Sequence, residues 1–148
     1  MRNIRLIFYA TDFSEASERA LDAAVGLAQQ YGAELRVVHV IEPVHYVTGE
    51  EFAAADLYTR LEEATERSAA TSMESLLGKI EKLGVKAESL LLKGTPAEQI
   101  VNAAKQRNAD IIVIGTHGRT GLTKLFMGSV AGRIVSTSDC PVLTVRGR

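Results

Sequence analysis

Gly115, Gly118, Gly128 and Ser129 stand in the spacing G-x2-G-x9-G-S, between the apolar run Ile111-Ile112-Val113-Ile114 and the helical stretch Val130-Ala131-Gly132-Arg133-Ile134-Val135. Glycine lets backbone N–H groups approach an anion closely, and the start of a helix presents unsatisfied donors and the positive end of the helix dipole. The stretch is therefore a candidate phosphate cradle, and the expectation is that it holds a nucleotide. Arg119 offers charge-assisted bonds to phosphate, and the Ser129 hydroxyl sits with the Ser129 and Val130 N–H groups where the helix begins. Far away in sequence, Asp12 follows the first apolar run. Its carboxylate can accept from ribose hydroxyls or help hold a divalent ion.

Two common nucleotide motifs are excluded. A Walker A loop needs G-x-x-x-x-G-K-[ST], but Lys124 here follows Thr123 and precedes Leu125, so the register fails. The dinucleotide fingerprint belongs after the first strand, where this chain has Ala10-Thr11-Asp12-Phe13-Ser14 and no glycine. Other reactive residue types point nowhere in particular. His117 lies inside the loop without a paired carboxylate in sequence, His39 alternates into a strand and reads as packed, and His45 sits in a loop. Three scattered histidines and one cysteine make no zinc site. Cys140, before Pro141, reads as a small buried residue rather than a nucleophile. Glu62, Glu63 and Glu66 read as a solvated helix face.

The elements that must position these groups alternate regularly. Ile4 to Tyr9 reads as a first strand, apolar enough to be buried on both faces. A helix follows, capped by Asp12 or Ser14, with a face of Ala16, Ala20, Leu21, Ala24, Val25, Leu27 and Ala28 and a stop at Tyr31-Gly32. Leu35 to Ile41 is the second strand. A long helical pattern runs from about Phe52 to Leu83, weakest in its Ala-, Ser- and Thr-rich middle, which leaves room for a kink or break between Ser68 and Ser72. Val85 to Leu92 is the third strand. Thr95-Pro96-Ala97-Glu98 has the form of a helix start with a capping box. Ile111 to Ile114, a helix from Ser129 to Thr137, and a strand over Val142 to Val145 complete the chain. This order predicts an α/β fold of three layers, a five-stranded parallel sheet with helices on both faces. Ligands of such sheets sit beyond the carboxyl ends of the strands, where the winding reverses. If the first and fourth strands are neighbours, Asp12 faces the glycine loop there.

At 148 residues, with 17 basic and 18 acidic side chains, the chain is expected to be one domain and no general nucleic-acid binder. No disulfide can form within a chain holding one cysteine, the N-terminus has no secretory pattern, and no segment reaches membrane-span length, so a soluble cytoplasmic protein is expected.

The G-x2-G-x9-G-[ST] spacing resembles the nucleotide signature of the ATP-binding branch of the universal stress protein family. The likeness extends along the chain through Thr11-Asp12-Phe13-Ser14, Val38-His39-Val40, Gly94-Thr95-Pro96 and Cys140-Pro141-Val142-Leu143. One departure is Ala10, where many members have proline before Thr-Asp. The resemblance implies a Rossmann-like sheet of order 3-2-1-4-5, ATP at its switch point, with Mg or Mn, and a homodimer. Carried over, Ala10, Thr11, Asp12 and Val40 serve the adenine and ribose end, Gly115 lies near the ribose, and Gly118, Arg119, Gly128, Ser129 and Val130 line the phosphates. It also implies that Val142, Leu143 and Val145 of strand five pair between two subunits, which would cover an edge otherwise prone to aggregation.

With the resemblance in hand, three functions stay open. One is an ATP-binding stress-response regulator with little or no turnover. The second is a slow metal-dependent ATPase or self-phosphorylating protein, with Ser129, Thr116 or Thr120 as acceptor. The third is a scaffold that binds no nucleotide. The lack of a Walker lysine and of an evident catalytic base favours the first. A generic anion cradle does not separate ATP from ADP, AMP or a cyclic nucleotide.

Overall fold

Five parallel strands and four helices alternate along the chain in the computed structural model, which describes residues 3–43, 53–117 and 127–147. They are β1 (Leu6–Ala10), α1 (Glu15–Tyr31), β2 (Glu34–Ile41), α2 (Ala53–Glu81), β3 (Ala87–Lys93), α3 (Pro96–Gln106), β4 (Ile111–Gly115), α4 (Ser129–Thr137) and β5 (Val142–Val145). The sheet order is β3-β2-β1-β4-β5. β1 is central: Ala10 pairs with Val38 of β2 on one side and with Ile114 of β4 on the other.

The apolar runs form strands because both faces are covered, so successive side chains can all be buried. On one face Ile7, Tyr9, Leu35, Val37, Ile111 and Val113 pack with Leu21 and Val25 of α1 and Met73 and Ile80 of α2. On the other, Phe8, Val38, Val40, Ile112 and Ile114 pack with Ile100 of α3 and Ile134 of α4. Asp110 fixes the entry to the central strand, accepting the N–H groups of Arg5 and Leu6 on Oδ2, each at 2.9 Å.

Helix ends differ in detail from the sequence expectations. Gly32 stops α1 as expected: its φ of 63° lies in the left-handed region, and its N–H reaches the Ala28 carbonyl. At the other end Ser14 is the N-cap residue, but no side chain makes a cap bond. The capping box at α3 is not formed either. The Thr95 carbonyl accepts from Gln99 N–H at 3.0 Å, and Pro96 simply removes one orphan donor. α2 has no break at Ser68 to Ser72 and runs as one helix of 29 residues. Ser and Thr cost a helix only a few tenths of a kcal/mol each, roughly, and no proline interrupts the run. Ala69, Met73 and Ile80 hold the helix to the sheet.

Candidate functional site

The chain winds from β1 through β2 to β3 on one side, then returns past β1 to β4 and β5. The reversal opens a crevice at the carboxyl ends of β1, β2 and β4, where ligands of doubly wound sheets bind.

The β1–α1 turn on its floor is held by a closed set of hydrogen bonds. Ser17 Oγ donates to the Ser14 carbonyl at 2.7 Å, so Thr11 Oγ1 donates to Ser17 Oγ at 3.1 Å and accepts Phe13 N–H at 3.0 Å. Tyr9 donates its phenol to the Ser17 carbonyl at 2.7 Å. Asp12 Oδ1 accepts both the N–H and the hydroxyl of Ser14, at 3.0 and 2.5 Å. This is an Asx turn two residues on, so Asp12 shapes the turn ahead of α1 rather than capping the helix. Phe13 has φ of 63°, a conformation that side chains other than glycine adopt at a cost. Its ring lies 4.5 Å from that of His39, and His39 Nδ1 is 2.8 Å from the Thr11 carbonyl.

The opposite wall comes from β4 and α4. Gly115 suits the close approach of β4 to α1, since a Cβ there would lie 3.2 Å from the Ala16 carbonyl oxygen, tighter than an ordinary contact. Buried Thr116 donates its N–H to the Val145 carbonyl at 2.9 Å and accepts Gly128 N–H at 2.6 Å, closing the base of the glycine loop. Gly128 then caps α4 with no side-chain bond, leaving the first-turn N–H groups without helical partners. Their charge suits an anion.

Between these walls lies a cavity of about 820 Å³, within the range for small-molecule sites. Ala10, Thr11 and Asp12 meet Val40, Gly115, Gly128, Ser129 and Val130 in it. Gly118 and Arg119 lie outside the described residues, as does Thr120. The expected facing of Asp12 and the glycine loop follows from the β1–β4 pairing. Sequence reasoning missed the third wall. Thr65, Ser68 and Ser72 of α2 line the cavity, with Pro96 and Ile100 of α3. Their signal was the small-residue stretch that looked like a weak point of the helix. Sequence reasoning read His39, which lines the cavity, only as packed, and Thr116, also cavity-lining, only as a possible phosphate acceptor. A smaller cavity of about 470 Å³ lies between α2 and β3, where Lys93 pairs with Glu66. It has neither glycine turn nor helix start.

The family model for the universal stress protein family matches residues 3–146. The chain belongs to the universal stress protein family. A universal stress protein of Thermus aquaticus is 42% identical over 142 residues, which span 96% of this chain and 98% of its own. Among solved structures, MJ0577 of Methanocaldococcus jannaschii superposes with a TM-score of 0.85 at 30% identity, covering 99% of both chains. A universal stress protein from Archaeoglobus fulgidus in complex with dAMP has a TM-score of 0.68 at 25% identity, over 97% of this chain and 98% of that one. Another family member, in complex with cAMP, has a TM-score of 0.64 at 25% identity over 98% of each. The sheet order expected from the family is the order observed.

Proposed function

We propose that this universal stress protein binds an adenine nucleotide, ATP with Mg or Mn, at the switch point of its sheet. It acts as a cytoplasmic homodimeric stress-response regulator and turns the nucleotide over slowly or not at all. The observation that carries the reading is the single cavity in which Asp12 and Val40 stand across from Gly115 and the start of α4. Asp12 accepts from the ribose hydroxyls, Val40 packs on the adenine, and the N–H groups of Ser129 and Val130 meet the phosphates. The adenine and first phosphate common to dAMP and cAMP, the ligands of the two related structures, fit this division of the cavity. Among the described residues no group of three His, Cys, Asp or Glu side chains could hold a metal ion alone. A divalent ion would be held chiefly by phosphate oxygens, as Mg commonly is. There it would offset phosphate charge.

Mass analysis of small molecules released from the purified, denatured protein tests the reading, together with thermal melts in Mg-ATP, ADP, AMP and cAMP. The expected result is a co-purifying adenine nucleotide and a melting shift that corresponds to about 2.7 kcal/mol at a ligand concentration 100 times its dissociation constant. Phosphate release should stay at the no-enzyme rate. No released nucleotide and no shift with any of the four overturns the proposal, and steady phosphate release replaces it with a slow ATPase.

A further inference from the structure

His39 touches the β1–α1 turn at two points, and Asp12 lies between them. Its Nδ1 is 2.8 Å from the carbonyl of Thr11, the residue before Asp12. Its ring packs 4.5 Å from that of Phe13, the residue after Asp12, with the planes tilted by 40°. A carbonyl only accepts, so Nδ1 carries the proton and donates. The Thr11 carbonyl and the Asp12 N–H share one planar peptide unit, so a bond to that oxygen fixes the plane from which the Asp12 side chain departs. The ring contact acts on the other flank, at the residue held with φ of 63°. Such a conformation persists only where its surroundings enforce it. The neighbours of His39 in β2 point the same way: Thr11 N–H is bound by the Val38 carbonyl at 2.9 Å, and Val40 lines the cavity. Thus one segment of β2 holds both the N–H and the carbonyl of Thr11, the residue before Asp12, and also supplies the Val40 wall.

We propose that His39 is the positioning residue of the nucleotide site: its imidazole clamps Thr11 and Phe13 and thereby sets the Asp12 carboxylate toward the ribose. The inference rests on the adenine-nucleotide reading above. It does not follow from packing alone, because a merely packed ring would need no donor toward Thr11.

The test is a set of substitutions read by calorimetric binding of Mg-ATP to the full chain. His39→Phe keeps a ring beside Phe13 and loses the donor. His39→Asn keeps an N–H near the Nδ1 position and loses the ring. Removing a half-buried donor costs about 1 kcal/mol, enough to weaken binding by up to about tenfold when the loss falls on the bound state. His39→Phe is therefore expected to weaken Mg-ATP by up to about tenfold, and His39→Asn to recover most of that loss. In an Asp12→Ala background, His39→Phe should change affinity by less than about twofold, since the residue acts through Asp12. A loss that persists undiminished on Asp12→Ala, or His39→Phe binding as tightly as wild type, overturns the positioning role alone. Wild type that binds no adenine nucleotide overturns both this role and the function it serves. Circular dichroism and melting of each variant keep a folding defect from passing as a binding defect.

Discussion

Tyr9, Thr11 and Ser17 are more than core filler, because their polar atoms form a chain with every donor direction determined. Ser17 is buried and central to it, donating to the Ser14 carbonyl, accepting from Thr11 and offering its own carbonyl to Tyr9. Ser17→Ala leaves the Thr11 hydroxyl and the Ser14 carbonyl without these partners, so unfolding in denaturant should show a loss of about 1–3 kcal/mol. An unchanged midpoint would mean that the turn is held by the backbone alone. Tyr9 adds a pH signature. Burial pushes its phenol above the ordinary 10.0, against the smaller opposing effect of the bonds to Ser17 and Thr11. Below 10.0 the phenol keeps its proton in both folded and unfolded chains, and its contribution is fully present. As pH rises through that value the unfolded chain releases the proton first, so stability falls. The stability gap between wild type and Tyr9→Phe should therefore be flat from neutral pH to about 10 and shrink above it. A gap independent of pH would contradict the buried, proton-holding phenol.

At the scale of elements, the strands and most helix ends were legible in the sequence for a physical reason. A sheet covered on both faces demands largely apolar runs, and Ile111 to Ile114, or Leu35 to Ile41 with only Arg36 and His39 polar, admits little else. Gly32 at a helix end and the glycine spacing around Gly128 are equally local signals. Asp12, Gly115 and Gly128 were legible as neighbours because turns at strand ends follow from topology, and Val40 joined them through the family resemblance; all four line one cavity. What could not be read locally was anything made by contact between distant segments. The bond from His39 to Thr11 spans 28 residues and has no sequence pattern. The capping box at Thr95 has the right residues, and the side-chain bonds are simply not made. The middle of α2 was read as weak because it is rich in Ala, Ser and Thr. Its residues are small because Ser68, buried Ala69 and Ser72 all border the cavity. Filling that space is a direct test. Ser68→Trp puts a large ring on an exposed position of the cavity wall. It should change folding stability by no more than about 0.5 kcal/mol, yet lower Mg-ATP affinity at least about tenfold if the α2 wall borders the ligand. Unchanged affinity would place the nucleotide away from α2.

For the whole molecule, the two edges of the sheet are built differently, and that difference predicts which edge would meet a second chain in the proposed homodimer. β3 carries Glu88 and Lys93, paired with Arg36 and Glu66, so its open edge is lined with charge. Charged edges resist pairing with another chain. β5 reads Val-Leu-Thr-Val without a charge, and Leu143 is exposed. A short uncharged edge strand with an exposed leucine is what a partner strand would cover, and the family resemblance led to the same expectation of a homodimer. The same strand is tied to the proposed nucleotide site, since on its inner side the Val145 carbonyl accepts the N–H of Thr116. Leu143→Lys places a charge where β5 would meet its twin, at a position exposed in the single chain, so the fold should lose no more than about 1 kcal/mol. Light scattering behind gel filtration should give twice the chain mass for wild type and the single-chain mass for Leu143→Lys. Leu91→Lys, on the exposed side of β3, should leave the double mass unchanged. If instead Leu91→Lys dissociates the particle and Leu143→Lys does not, the chains meet through the charged edge and β5 is covered in some other way.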